Sequence, residues 1–455
     1  MQFLRIALYH YRKTPPPKKY VLTRFNKKRV DVDRYLCQYD GMKIFQNLFV
    51  CAVALAVSSC GLVKESAFTN DGTKLWSIGQ EMSFLAKYKV DAKVLQNEES
   101  MLIYSPTYHG RIFTSSFGDK KTPSLGWYNR EAVALKNKNL RTTLIGGEDF
   151  FAVGPEGSES SVYFEQGALF TEENKKYPEI VSTSAWKLID ASKTRARFEC
   201  DGIITNAKGA KFNVKAEREI TLLSRGDIEK ILGTDIPKNL KLVGFQSMNK
   251  LTNTGSQDWS DKYGMLNMSV NSCFNANKTV NTFIPFQKGD ASKLGDVVKD
   301  NVFDAATSSS GERVVVMDDY IRFKCDGKHM SGIGVSSRRS EGIVLSYDDK
   351  NAVLTVVLYI KPSGNRAYFP STWRNTQTTM DGDAISVFNN GPASKNIYFA
   401  DLFYEVSTHS PALNLAKEKR QFHLQRTFHF HGSEFDLDLL AYKLTGISLK
   451  QMRIK

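Results

Sequence analysis

The sequence predicts a mainly β fold, and the first observation behind this prediction is alternating hydrophobicity. In residues 211–222 apolar side chains recur at every second position, which is the pattern of a strand with one buried face. Residues 352–360 form a continuous β-branched run, typical of a strand that is buried on both faces. Arg218 falls on the apolar face of the first segment. We therefore expect it to be buried and paired with a carboxylate or with backbone carbonyls.

Turn signals between short strand candidates are the second observation. Pairs such as Asp201-Gly202 and Asp326-Gly327 favour turns, because glycine adopts positive φ without steric cost. Many short strands that are separated in this way are typical of a β-sandwich. We expect further strands over residues 101–104, 111–114, 194–199, 313–317, 320–325 and 342–347.

Helical patterns are scarce in this sequence. Residues 227–233 predict two helical turns that end at a glycine. Ser433 is a typical N-cap, an apolar stripe follows it to Thr445, and Gly446 is a typical stop. We expect this short C-terminal helix to pack on the outside of the sandwich.

The net charge of +14 is concentrated at the N-terminus. Residues 1–41 contain ten Lys or Arg and three Asp, so seven of the fourteen excess charges lie there. A nucleic-acid-binding protein instead carries its basic residues clustered on one face of a folded domain, so we expect no nucleic-acid partner. A Met-Lys start follows at Met42. We interpret Met42 as the true start of translation. Residues 1–41 would then be an artefact of reading the sequence upstream of that start, and we expect them to be disordered.

Residues 42–59 have the pattern of a secretory signal peptide. Their apolar run is shorter than the ~20 residues of a transmembrane helix, and small residues precede Cys60. Val57-Ser58-Ser59-Cys60 resembles the bacterial lipobox, which implies cleavage before Cys60 and its diacylation. We expect an exported protein that this lipid anchors to a bacterial membrane, in the periplasm or at the cell surface. The alternative is a short membrane-anchoring or buried helix.

Downstream of the signal peptide, the sequence predicts two regions. Residues 60–75 are expected to form a tether, because Ser66 to Thr73 is small and polar. Residues 76–455 have no strong internal boundary, so we expect one domain there.

No motif in the sequence indicates a cofactor or a metal. A P-loop, an H-E-x-x-H motif and a G-x-S-x-G motif are all missing, which argues against nucleotide enzymes and the common hydrolase triads. Cys200, Cys273 and Cys325 have no zinc-like spacing, so we interpret them as buried apolar residues. A disulfide between two of them stays an alternative. We expect neither a cofactor nor a bound metal.

Carboxylates beside turn glycines are the first candidate site residues. The stretch 146–167 alternates glycine turns with two apolar runs, 150–153 and 161–167, which predict strands. Glu148, Asp149 and Glu156 would then lie at strand ends, and Asp383 has a similar glycine neighbour. Carboxylates accept hydrogen bonds from the hydroxyls of sugars, and a pair with different pKa values can carry out acid/base chemistry. The alternative is a set of solvated turn residues.

Tryptophans among amide side chains are the second candidate. Trp127 and Trp373 both lie in polar turns, where a ring can stack on a sugar while amides such as Gln377 bind its hydroxyls. For Trp127 a core position is favoured. Arg111 precedes a strand and supplies a donor.

Histidines are the third candidate. His109 lies just before a predicted strand. His423, His429 and His431 share one face of residues 422–431. A His-x-His pair can bind metal, but the spacing provides no third ligand, so the solvated face of an outer strand is favoured.

Six short blocks follow one another in a characteristic order. They are His109-Gly110-Arg111-Ile112, Gly146-Gly147-Glu148-Asp149, Gly154-Pro155-Glu156-Gly157, Leu251-Thr252-Asn253-Thr254-Gly255, Trp373…Gln377…Gly382-Asp383 and Arg426-Thr427-Phe428-His429-Phe430. In this order the blocks resemble an uncharacterised family of exported bacterial proteins related to the galactose mutarotase-like superfamily. The resemblance covers about residues 80–450. It implies a supersandwich of two large antiparallel sheets, with a concave face that binds sugars in the better-known relatives.

The sequence therefore predicts an exported lipoprotein with a carbohydrate-binding, mutarotase-like domain. In its enzymatic form the domain would act like an aldose 1-epimerase. Glu148 or Glu156 would take a proton from the anomeric hydroxyl, and His109 or His423 would protonate the ring oxygen. The alternatives are a non-catalytic glycan-binding or assembly module, and a polysaccharide lyase or glycoside hydrolase. The residues expected to bind the sugar are Arg111, Asp149, Trp373, Gln377 and Asp383.

Overall fold

The computed structural model describes the chain in six ranges, which are residues 75–135, 140–171, 173–300, 313–371, 379–391 and 402–453. The predictions for residues 1–41, for the signal peptide 42–59 and for Cys60, Trp373 and Gln377 lie outside these ranges. Of the predicted tether, only Leu75 lies inside them. Within the six ranges, none of the helices combines the length and the apolar character needed to cross a membrane.

The largest sheet has ten antiparallel strands, numbered here in chain order. Its strands follow the spatial order β11 (Val314–Val316), β12 (Tyr320–Lys324), β10 (Asn281–Pro285), β14 (Ile343–Asp348), β15 (Val353–Tyr359), β18 (Arg420–His431), β8 (Lys241–Asn253), β7 (Lys211–Leu222), β6 (Arg195–Thr205) and β5 (Lys187–Ala191).

Two smaller antiparallel sheets complete the described β structure. The five-stranded sheet has the order β13 (Ser331–Ser336), β16 (Asp383–Asn389), β17 (Phe403–His409), β9 (Asn267–Asn275) and β4 (Phe150–Gly154). The three-stranded sheet has the order β1 (Lys93–Gln96), β2 (Ser100–Ser105) and β3 (Arg111–Phe117).

The main core lies between the ten-stranded and five-stranded sheets. Phe151 of β4 belongs to one apolar cluster with Phe212 of β7 and Phe245 of β8. Val406 of β17 belongs to another with Val357 of β15. These clusters form because alternate residues of each strand project to the same face and are apolar there. The predicted mainly β fold with large antiparallel sheets is therefore confirmed.

The predicted C-terminal helix is also confirmed, and it covers the opposite face of the ten-stranded sheet. Ser433 Oγ accepts the backbone N–H of Asp436 at 3.2 Å at its start, and Gly446 with φ +73° ends it. Leu440 packs against Phe428 and Phe430 of β18. The described helices are α1 (Ile78–Lys87), α2 (Arg130–Ala134), α3 (Arg225–Leu232), α4 (Ala291–Leu294), α5 (Glu434–Thr445) and α6 (Leu449–Met452).

The strand predicted over residues 161–167 is wrong. This segment consists of bends and a turn, although Tyr163 and Phe164 are buried. Ser161 Oγ accepts the backbone N–H of Tyr163 at 3.0 Å and donates to the carbonyl of Glu156 at 2.5 Å. Such local side-chain bonds satisfy the backbone without a ladder partner, which explains the loop. The turn predicted at Asp201-Gly202 is also wrong, because β6 runs through both residues. The other predicted strands and both predicted helices are present, whereas the helices α1, α2, α4 and α6 were missed.

The interpretation of the three cysteines is confirmed. Cys200, Cys273 and Cys325 are buried, and all three are free thiols. The disulfide alternative is therefore not realised.

Candidate functional site

A cavity of about 340 Å³ lies against the face of the five-stranded sheet that points away from the main core. Phe150 and Asn271 are partners across β4 and β9, and Phe388 and Glu405 are partners across β16 and β17. Paired residues of antiparallel strands project to the same face, so these four side chains reach the cavity together. The segment before β4, the loops after β4 and the turn before β3 supply most of the remaining walls.

Glu405 is a carboxyl group held at the floor of the cavity. Its Oε1 accepts the hydroxyl of Ser407 at 2.8 Å, and the Cys273 thiol lies 3.5 Å from its Oε2. Burial raises the pKa of Glu405, and the negative charge of nearby Glu156 raises it further. The group therefore keeps its proton to a higher pH than an exposed glutamate does.

Glu156 is the second carboxyl group of the cavity, and its environment differs. It follows β4 in a turn and forms an ion pair with Lys175. The Glu156 side chain is 43% exposed, so a ligand can reach it. One cavity thus contains a partly buried carboxyl group with a raised pKa and an ion-paired carboxylate.

Arg111 lies at the start of β3 and is fixed against the cavity wall. Its guanidinium lies 4.3 Å from the centroid of the Phe150 ring, and Nη1 donates to the carbonyl of Gly146. Gly147, at φ +120°, makes room for the side chain, because a Cβ there would lie 3.0 Å from Cγ of Arg111. Burial lowers the pKa of Arg111 to about 10, so it stays charged at neutral pH.

His109 lines the cavity beside Arg111 in the left-handed conformation, at φ +66°. Burial and the charge of Arg111 lower the pKa of His109 to about 3. The ring is therefore neutral at neutral pH. Its Nδ1 is buried and has no hydrogen-bond partner among the described residues.

Glu148 and Asp149 are directed into the protein interior, and neither lines the cavity. Glu148 Oε1 accepts the hydroxyl of Ser115 at 2.5 Å and lies 2.7 Å from Nε2 of His429. Asp149 forms an ion pair with Arg218. Both carboxylates are fully buried, so solvent and ligand reach neither of them.

The predicted environment of Arg218 is confirmed. The side chain is 1% exposed. Besides its ion pair with Asp149, it donates to the carbonyl of Gly110 at 3.1 Å and to Oδ1 of Asn249 at 2.7 Å. These bonds join β7 and β8 to the loops before β3 and β4.

The solvated face predicted for the histidines of β18 is wrong. β18 is an inner strand of the ten-stranded sheet, so that face packs against the five-stranded sheet. His423 is buried, with Nε2 lying 2.8 Å from Oγ1 of Thr408, and burial lowers its pKa to about 3. His429 is buried too, with Nδ1 lying 2.8 Å from Oγ1 of Thr355. Neither histidine lines the cavity.

Asp383 lies behind the cavity wall. Its Oδ2 accepts the backbone N–H of Ser371 at 3.0 Å, and Lys299 Nζ lies 3.5 Å from Oδ1. Ser371 lines the cavity, but Asp383 does not. Trp127 is 2% exposed and stacks on Phe403 with ring centroids 3.9 Å apart, which confirms it as a core residue.

The structure thus brings together His109, Arg111 and Glu156 and leaves Glu148, Asp149, His423 and Asp383 outside the cavity lining. Glu405 and Lys175 were missed. Glu405 lies in the middle of the largely buried strand β17, and this position was the signal that could have identified it. Arg218 was identified by the same kind of signal, a charged residue in a buried strand. In the described ranges, no three His, Cys, Asp or Glu side chains are grouped in a way that could hold a metal ion.

Comparison with protein families identifies the chain. A family model described as a family of unknown function, DUF6786, matches residues 76–455. The chain belongs to DUF6786. No curated protein matches its sequence.

Several solved structures are similar to this DUF6786 protein in fold. One is a galactose mutarotase-like protein from Lactobacillus casei, with 10% identity, a TM-score of 0.42, and coverage of 75% of this chain and 100% of that one. The Slr1438 protein from Synechocystis has 10% identity, a TM-score of 0.41, and coverage of 75% and 96%. A galactose mutarotase related enzyme from Lactobacillus acidophilus has 11% identity, a TM-score of 0.41, and coverage of 75% and 97%. Likeness at this level carries no argument about activity.

Proposed function

We propose that this DUF6786 protein binds a sugar in the cavity beside the five-stranded sheet. The cavity volume of about 340 Å³ falls within the range of about 300–1,000 Å³ that is usual for small-molecule sites. Phe150, Tyr163 and Phe388 offer apolar ring surface, and Asn271 and Glu156 offer groups that bind hydroxyls. The main support for the proposal is that two carboxyl groups in different environments, Glu156 and Glu405, line this one cavity.

The chemistry that these two groups support best is interconversion of sugar anomers. Glu405, whose pKa burial raises, would donate a proton to the ring oxygen. Glu156, ion-paired with Lys175, would accept the proton of the anomeric hydroxyl. The bond between the anomeric carbon and the ring oxygen then breaks and a carbonyl forms. After rotation about the neighbouring C–C bond the ring closes, and both protons return.

In this proposal Glu405, and not His109 as predicted from the sequence, protonates the ring oxygen. With a pKa of about 3, the His109 ring is neutral at neutral pH and lacks the acidic proton of an imidazolium. Its free Nδ1 is instead suited to contact a sugar hydroxyl. His423 is equally neutral and lies outside the cavity lining.

Polarimetry on freshly dissolved α-hexoses, together with titration calorimetry on the same sugars, tests this proposal. We expect Glu405→Gln to slow mutarotation by ~10²-fold while sugar affinity changes little, because the amide keeps the shape and loses the acidic proton. Glu165→Gln is the matched control, since the Glu165 side chain is 66% exposed and does not line the cavity. Sugar binding without faster mutarotation would mean that the protein is a non-catalytic binding module, and it would contradict the catalytic part of the proposal. Failure of every sugar tested to bind would overturn the proposal.

We also propose that the protein is exported and anchored to a membrane through a lipid on Cys60. The support is the signal-like segment 42–59 and the lipobox-like sequence that ends at Cys60. Replacing Cys60 with alanine should abolish incorporation of labelled palmitate and release the protein from the membrane fraction. Equal labelling of the variant and the wild type would contradict the anchor.

A further inference from the structure

The charge of Arg111 has no counterpart among the described residues. Four arginines are buried in the described ranges, namely Arg111, Arg130, Arg218 and Arg339. Arg130 pairs with Glu81 and Arg218 with Asp149, while Arg339 donates to the carbonyls of three residues. Buried charges are normally paired in this way. Arg111 has no ion pair with any described residue and donates only to the carbonyl of Gly146.

The unused edge of Arg111 has the geometry that recognises a carboxylate. Nη1 is occupied by Gly146, whereas Nε has no partner and Nη2 makes no hydrogen bond with the described residues. The N–H groups of Nε and Nη2 point in the same direction and form a fork that can donate to both oxygens of one carboxylate. Phe150 and Gly146 hold the guanidinium in place, so little side-chain freedom is lost when a ligand binds.

The groups that surround Arg111 supply no negative charge at neutral pH. Its titratable neighbours are Cys273, Tyr177, Arg218 and Tyr108. Burial raises the pKa of Tyr177 to about 12, that of Cys273 well above its ordinary value, and that of Tyr108 as well. The phenols and the thiol are therefore neutral, and Arg218 is a cation already paired with Asp149. None of these neighbours therefore balances the charge of Arg111, whereas a bound anion would do so.

We propose that the ligand of this cavity is a sugar acid, a hexuronic acid unit whose carboxylate binds the free edge of Arg111. This inference rests on the proposed sugar-binding function and specifies its substrate class. A carboxylate contributes a single negative charge, which matches the single unpaired guanidinium. A phosphate monoester carries about −1.5 to −2, which exceeds the single charge of the Arg111 guanidinium.

Titration calorimetry with matched pairs of sugars tests the inference. The probes are glucuronate against glucose and galacturonate against galactose, with glucose 6-phosphate as the phosphate probe. We expect each uronate to bind ~10- to 100-fold more tightly than its hexose, which is the size of a charge-assisted, two-point hydrogen bond. Arg111→Met should bring the ratio of the uronate and hexose affinities close to one. Arg111→Lys should retain part of the preference for the uronate, because a lysine keeps the charge and loses the fork.

Arg195→Met is the matched control, since Arg195 is an exposed arginine on β6 that does not line the cavity. Its circular dichroism spectrum and that of each Arg111 variant verify folding. Hexoses that bind as tightly as uronates would overturn the inference and leave the sugar proposal intact. If glucose 6-phosphate binds more tightly than the uronates, the inference is overturned and the group that Arg111 binds is a phosphate. If neither hexoses nor uronates bind, both proposals fail.

Discussion

Arg111 and Arg218 are both buried arginines beside the same stretch of chain, yet their surroundings differ. Arg218 is paired with Asp149 and also donates to Asn249 and to the carbonyl of Gly110. Arg111 lines a cavity and uses one N–H group on a carbonyl. A buried charge with a full set of partners contributes to the fold. One that is fixed in place without a counter-charge is prepared for a ligand.

The carboxylates follow the same division. Glu148 and Asp149 are fully buried and bonded to His429, Ser115 and Arg218. Glu156 and Glu405 line the cavity. The four groups are of the same chemical type, so only their partners separate a structural carboxylate from one that can meet a substrate.

Removal of Arg218 should have the largest effect. Arg218→Met leaves Asp149 as an unpaired charge in the interior, so we expect the free energy of unfolding to fall by about 3–5 kcal/mol. Urea denaturation followed by tryptophan fluorescence measures this change. A loss below about 1 kcal/mol would show that the ion pair contributes little and would weaken the comparison with Arg111.

Acidification should act through the buried histidine His423. Its pKa is about 3 in the folded protein and about 6.5 when unfolded, so the unfolded chain binds the extra proton between these values. Stability is therefore full above pH 6.5 and falls as the pH decreases, by up to about 1.4 kcal/mol per pH unit for this residue. His423→Gln keeps a polar group near Thr408 and should remove the share of His423 in the dependence between pH 6 and pH 4, as measured by urea midpoints. The share of His109, whose pKa is also about 3, should remain. An unchanged slope would mean that His423 is not held neutral.

Replacement of Glu148 should have an intermediate effect on stability and none on the cavity. Glu148→Gln weakens the hydrogen bonds with Ser115 and His429, so we expect a loss of about 1–3 kcal/mol. Sugar affinity, measured by calorimetry below the unfolding transition, should stay at the wild-type value. If the variant loses sugar affinity while its free energy of unfolding stays unchanged, Glu148 is a residue of the sugar site.

Removal of Arg111 should have the smallest effect on stability. Arg111→Met removes a buried charge that has no partner carboxylate among the described residues, and the methionine side chain still packs on Phe150. We expect the free energy of unfolding to change by less than about 1 kcal/mol, in either direction, in the absence of sugar. Thermal and urea denaturation, run beside Arg218→Met, give the comparison directly. Equal losses from the two variants would contradict the assignment of Arg111 to a ligand.

The sequence by itself determined the class of fold and several of its elements. The period-two pattern of residues 211–222 predicts β7, and the Ser433 cap and Gly446 stop predict α5, because both patterns depend on local geometry. The burial of Arg218 was predictable as well, since a charge on an apolar strand face needs internal partners.

Only the tertiary structure decided which carboxylates meet the cavity. Glu148 and Glu156 both lie beside turn glycines, and the sequence does not distinguish them. Pairing of β4 with β9 and of β3 with the residues before β4 directs Glu148 inward, while the turn after β4 leaves Glu156 at the cavity. Glu405 joins it through the pairing of β17 with β16, although more than two hundred residues separate the two glutamates in the chain. Strand pairing over such separations is a long-range interaction, so the direction of these side chains is set by partners that no local pattern contains.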